Sequence, residues 1–151
     1  MPAEMLRKAE KERVVEPLQE RFGIENVPYL LFKTGKEKVR GFSGHLSREE
    51  LQALFDCVVV EIIGLYLFKE DKHDELRMSL DATHLLKKDI QKNILEITDE
   101  QALKWLKGED LSVEASLFGF YVVKNKNDFL GCGKASQGRL INFIPKERRL
   151  R

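Results

Sequence analysis

The stretch from Gly119 to Pro145, GFYVVKNKNDFLGCGKASQGRLINFIP, constrains this chain most. Runs of β-branched and aromatic residues (GFYVV, FLGCGKA, RLINFIP) are broken at KNKND and SQG by residues that favour turns. Such a rhythm predicts successive hairpins, the pattern of a small mixed or mainly β barrel. Gly131-Cys132-Gly133 also resembles the start of a G-x-G phosphate or S-adenosylmethionine loop. That loop needs a strand, a tight turn and then a helix whose N-terminal amides face the anion. Here KASQGRLINFIP follows, offering a turn and another strand, and no Gly-Lys-Ser/Thr is present for a Walker loop. Paired glycines inside a strand instead mark a bulge or a close backbone approach.

Upstream, NILEI reads as a strand. TDEQALKWLKG then reads as a helix with Thr98 and Gln101 at capping-box spacing, Leu103 and Leu106 directed to the core, and Gly108 as the stop. Trp105 and Ala102 face the core as well, leaving Lys104 and Lys107 to solvent. The first half is mixed. A helix is predicted from Ala3 to Phe22, ended by Gly23; VPYLLFK and KVRGF are strands joined at TGKE; Ser47 and Glu50 start a second helix. The run VVVEIIGLYLF predicts one or two buried strands with Gly64 as a bulge. LRMSL is a short strand and DATHLLKK one or two helical turns.

These patterns place the chain in the α+β class, with a division near the charged stretch KEDKHDE into residues 1–75 and 76–151. That stretch has no proline or glycine, so two units packed on each other are expected, with no flexible linker.

Charge is unevenly spread. The first 75 residues carry 12 Lys/Arg against 15 Asp/Glu, and the remainder 14 against 10. From Lys134 on, Lys134, Arg139, Lys146, Arg148, Arg149 and Arg151 face only Glu147, which points to an anionic partner.

Specific chemistry is harder to find. His45, His73 and His84 fall in three different elements with no metal-ligand spacing, and the simplest reading of His73 is a solvated loop residue. Cys57 and Cys132 lie far apart and are expected to be reduced thiols. Neither a metal nor a cofactor is expected. The first residues lack the apolar stretch of an export signal, and the longest apolar run is about half a membrane span, so a cytoplasmic location without membrane contact is the expectation.

The segments WLKGEDL, GFYVV, DFLGCGK and NFIPKERRL, in that order, resemble the PUA domain at the C-terminus of Nop/Sun-type RNA cytosine-5 methyltransferases and small archaeal ribosome-biogenesis relatives. The resemblance runs from about Leu76 to Arg151, and it implies a small α/β domain packed on a PUA-like pseudo-barrel. It further implies binding of structured RNA, ribosomal or transfer, mostly through shape and backbone, in ribosome biogenesis or RNA modification. Methylation is not implied, because the catalytic domain is missing and neither Pro-Cys nor Thr-Cys, the usual nucleophile pair, occurs.

Carried onto this sequence, the resemblance puts the binding side at the loop Gly108-Glu109-Asp110 and at a glycine-rich edge from Gly131 to Gly138. Lys104, Lys107, Gly108, Lys134, Arg139, Lys146, Arg148, Arg149 and Arg151 are the expected RNA-binding residues, with no catalytic residue among them. Replacing Arg148 and Arg149 by Ala is expected to weaken binding and leave the fold intact. An RNA methyltransferase or a ribosome-assembly protein is the further expected partner. The alternative is a protein-interaction accessory subunit, whose mark would be an exposed apolar patch at VPYLLF or VVVEIIGLYLF.

Overall fold

A computed structural model describes residues 2–72 and 75–151, so His73 lies outside the described residues. Two curled sheets carry the architecture. The first is an antiparallel meander of β1 (Glu4–Met5), β2 (Leu30–Thr34), β3 (Lys38–Phe42), β4 (Leu65–Glu70) and β5 (Leu76–Met78). α1 (Lys8–Phe22) joins β1 to β2, and α2 (Arg48–Cys57) joins β3 to β4. α3 (Leu80–Leu85) leads to the second sheet, ordered β6 (Ile94–Glu96), β8 (Gly119–Asn125), β9 (Asp128–Ser136), β10 (Arg139–Asn142) and β7 (Leu111–Ser112). Among the described residues only the β6–β8 pair is parallel, its return connection passing through α4 (Asp99–Leu106) and β7.

Local signals set most boundaries. Ser47 Oγ accepts from Glu50 N–H, and Gln101 N–H donates to Thr98 Oγ1, so both capping boxes start their helices as expected. Gly23 closes α1, its amide donating to Gln19 O at 2.9 Å.

Three expectations need correction. α1 begins only at Lys8, because Glu4 and Met5 pair with Lys33 and Phe32 as an edge strand. β2 begins at Leu30 because Pro28 has no N–H for the ladder. The run before β4 forms no strand: Val59 is 78% exposed and Ile62 68%, and regular structure starts only at Leu65. Val60 O accepts from Ala3 N–H at 2.7 Å, beside the edge strand β1, but no ladder of paired residues follows from that bond.

A shared core joins the two halves. Leu18 and Phe22 of α1, Leu31, Phe68 and Met78 of the first sheet, and Leu86 pack in one cluster with Phe120, Val122, Phe129 and Cys132 of the second sheet. Each such side chain contributes about 1.5–3 kcal/mol by burial, so separating the halves would expose a large apolar area. β5 lies beyond the expected division at residue 75 yet completes the first sheet. On the other face of the second sheet Trp105 packs with Leu111, Val123, Ala135, Leu140 and Ile144. Leu103, expected in that core, is 56% exposed. Ala102, Trp105 and Leu106 occupy the inward face of α4 at i, i+3 and i+4, and Leu103 falls outside it. Among the described residues no helix is long and apolar enough to cross a membrane.

Candidate nucleic-acid interface

The C-terminal end of α4 organises this region. Trp105 Nε1–H donates to Leu130 O at 2.6 Å, fixing the helix across β9. Gly108 then turns the chain at φ +92°, where a side chain would be strained and a Cβ would collide with the Arg149 guanidinium. Glu109 and Asp110 bring the chain back to β7.

Asn142 holds the loop in place. Its Nδ2 donates to Trp105 O at 2.7 Å and Glu109 O at 3.0 Å, and its Oδ1 accepts from Ile144 N–H at 2.8 Å. Asp110 completes the brace, accepting from Asn142 N–H at 2.8 Å and from Arg139 Nε at 2.7 Å. Burial works to raise the Asp110 carboxyl, but the bonds from Asn142 and Arg139 and the charges of Arg139 and Arg149 hold it below the ordinary carboxylate value. Asp110 is therefore an anionic brace inside a basic region. The sequence signal for Asn142 was one polar residue in the apolar run RLINFIP, and it was not recognised.

The tail docks on the same helix end. Leu150 N–H donates to Leu106 O at 2.9 Å, and Arg149 Nε donates to Ile144 O at 3.0 Å while its side chain lies over Gly108. Removing Arg149 therefore alters local packing at Gly108 and Ile144, a change at the surface end of the module rather than in its core. Arg148 turns the other way and pairs with Asp81 of α3 at 3.3 Å.

Of the expected RNA-binding residues, Lys104, Lys107, Gly108, Arg139, Lys146, Arg149 and Arg151 lie on α4, its loop, the start of β10 and the tail packed against them. Lys104, Lys107, Lys146 and Arg151 are exposed and have no ion-pair partner among the described residues.

Lys134 is placed elsewhere. On β9 it alternates with Gly133 and Ala135, which face Trp105 and its cluster, so it lies on the opposite face of the sheet. There its Nζ is 2.8 Å from Asp71 and 3.6 Å from Glu75. The hydrogen bond to Asp71 is the main cause of its raised pKa, and the same bond holds Asp71 below the ordinary value. Arg21 of α1 adds a second tie between the halves, donating to Phe120 O at 2.7 Å and Phe118 O at 2.9 Å.

The glycine-rich strand also differs from expectation. β9 is not a sheet edge; it lies between β8 and β10. Gly133 admits Trp105, because a Cβ there would come within 2.7 Å of the indole and 2.8 Å of Leu140. Gly131, at φ +91°, faces Leu80 of α3. These glycines let helices approach from both faces, and a ligand is not needed to explain them. Cys132 between them is buried, and burial pushes its thiol up to about 12, so at neutral pH it is a protonated, inert group. Cys57 is exposed. No cluster of three His, Cys, Asp or Glu able to hold a metal ion occurs among the described residues.

Comparison with curated proteins gives no match. A family model described as the methyltransferase RsmF PUA domain matches residues 92–150, less than half of the chain. The match spans β6 through the tail, the part braced by Trp105, Asp110 and Asn142. Residues 92–150 are therefore a PUA domain, resembling the C-terminal module of Sun/Nop-type methyltransferases, and a PUA domain implies RNA binding.

Proposed function

We propose that the protein is a non-catalytic module that recognises structured RNA, ribosomal or transfer, in ribosome biogenesis or RNA modification in the cytoplasm. One observation carries this reading: Lys104, Lys107, Lys146 and Arg151, exposed and without ion-pair partners among the described residues, are gathered by the docking of the tail on α4. Arg139 and Arg149 lie within the same group, held by Asp110 and Ile144. Lysine and arginine in such a group neutralise phosphates and release counterions, which favours backbone recognition over base readout. The RNA-binding unit is residues 76–151, with residues 1–75 as its support.

The test is a titration of the purified protein against labelled transfer RNA, a structured ribosomal RNA fragment and duplex DNA at two salt concentrations. Preference for RNA with steep weakening by salt supports the reading, and equal weak binding to all three refutes it.

A second reading, an accessory subunit that docks on an RNA methyltransferase or a pre-ribosome, is favoured by the exposed Val58, Val59, Ile62 and Leu65. The VPYLLF segment does not contribute to such a surface, because Val27, Leu31 and Phe32 are buried. Salt-insensitive capture of a methyltransferase, lost on Val59→Asp, would support this reading.

A further inference from the structure

We propose that the RNA footprint extends past the matched module onto α3 and the turn after it, where Lys87 and Lys88 contact the backbone of double-helical RNA. This inference rests on the RNA-binding reading above.

The tail links the two regions. On one side Leu150 is bonded to Leu106 at the end of α4, and on the other Arg148 grips Asp81 in the first turn of α3. A continuous band therefore runs from Lys104 and Lys107, across Lys146, Arg148 and Arg151, to the outer face of α3. Ala82, Thr83 and Leu86 bury the inner face of that helix, leaving Asp81, His84, Leu85 and Lys88 outward at i, i+3, i+4 and i+7. Helical hydrogen bonding continues beyond Leu85, since Ile90 N–H donates to Leu86 O at 3.2 Å.

The segment is held before any ligand arrives. His84 Nε2 donates to Phe129 O at 2.7 Å, and Gln91 N–H donates to Phe22 O at 2.8 Å. Such anchoring reduces the ordering penalty of binding. Lys87, Lys88 and Lys92 face only Asp89 in this stretch, and Lys87 and Lys88 are exposed without an ion-pair partner among the described residues.

The band also indicates the kind of RNA. Trp105 in this band is fully buried, and the exposed His84 ring is tied through Nε2 to Phe129 O, so neither offers a free platform on which a splayed base could stack. A strip of cations with no exposed indole or phenyl ring fits the regular phosphate array of an A-form helix, recognised by shape and backbone.

The experiment measures binding of the full chain to a labelled RNA hairpin with a long stem, comparing wild type with three double variants. These are Lys87→Glu/Lys88→Glu, Lys104→Glu/Lys107→Glu, and the charge-matched control Lys8→Glu/Lys36→Glu, which lies outside the band. All three sites are exposed, and matched thermal melts establish that the variants are folded. Each lost phosphate contact removes about one unit of salt slope, so the α3 variant should lose affinity at least tenfold and about two units of slope. The control should stay within about twofold of wild type. An unchanged α3 variant beside a weakened α4 variant overturns the extension and leaves the α4 site standing. An equal loss in the control also overturns it, reducing the effect to net charge. Absence of wild-type binding removes both the extension and the reading beneath it. A single-stranded competitor of equal length that displaces the hairpin at equal concentration refutes the helical preference.

Discussion

Arg148 in the tail and Asp81 in the first turn of α3 lie 3.3 Å apart, joining the basic C-terminus to the segment that connects the two sheets. The pair is partly exposed, so it contributes little to stability, about 1 kcal/mol or less. Its consequence is electrostatic. Asp81 orients Arg148 but competes with any phosphate that approaches it. The two partners should therefore respond in opposite directions. Arg148→Ala should weaken RNA binding several-fold, while Asp81→Asn should strengthen it by a similar factor at low salt, both with near-native melting temperatures. Fluorescence anisotropy at two salt concentrations reads this, and weakened binding in both variants would refute the competition.

Asn142 should be among the most sensitive positions in the module. Ala in its place leaves Trp105 O, Glu109 O and Ile144 N–H without their side-chain partners. Trp105 O keeps the Gly108 N–H and Glu109 is exposed, so the main cost is the buried Ile144 N–H, and a loss of about 1–3 kcal/mol is expected. Urea unfolding checks this, and a loss below about 1 kcal/mol would mean that the loop is held by something else.

Cysteine reactivity should report the fold directly. Cys57 is exposed and should react promptly with a thiol reagent at neutral pH. Cys132, buried and with its thiol pushed up to about 12, should react only as fast as the protein opens. Two equally fast sites would contradict the packing of β9 against the first half.

The joint between the halves should contribute to acid sensitivity. Asp71 is held below its ordinary value, chiefly by the hydrogen bond from Lys134. A depressed carboxyl contributes stability above its unfolded value of about 3.9, and that contribution is lost as pH falls through the folded one. Lys134, raised in turn, keeps its charge across the neutral range. Asp71→Asn should lower stability at pH 7 by about 1 kcal/mol or less and should flatten the decline below pH about 4. Melting temperatures between pH 7 and pH 2.5 measure this, and an unaltered acid limb would rule out the pair as a contributor.

Features that rest on a few neighbouring residues were legible in the sequence. The Ser47–Glu50 and Thr98–Gln101 boxes, the Gly23 cap, the hairpins of the second sheet and the buried Trp105 all follow from spacing and residue type. What was missed depends on packing between distant segments. Lys134 looked like one more cation of the tail, but its partner is Asp71, 63 positions away, on the face of the sheet opposite Trp105. The run from Val58 to Ile63 had strand-like composition, yet beyond the bond from Ala3 N–H to Val60 O it pairs with no strand among the described residues. Gly131 and Gly133 looked like a binding edge, but only the positions of α3 and Trp105 show that they admit helices.

The central claim is that RNA meets this protein on the band formed by the end of α4, the tail and α3. An amide chemical-shift titration of the 17.5 kDa chain with a structured RNA hairpin tests it most directly. Salt-sensitive shifts at Lys104 to Asp110, Arg139, Lys146 to Arg151 and His84 to Lys88 are the predicted result. Shifts confined to Val58–Leu65 or to the first sheet, or none with RNA in excess, would contradict it.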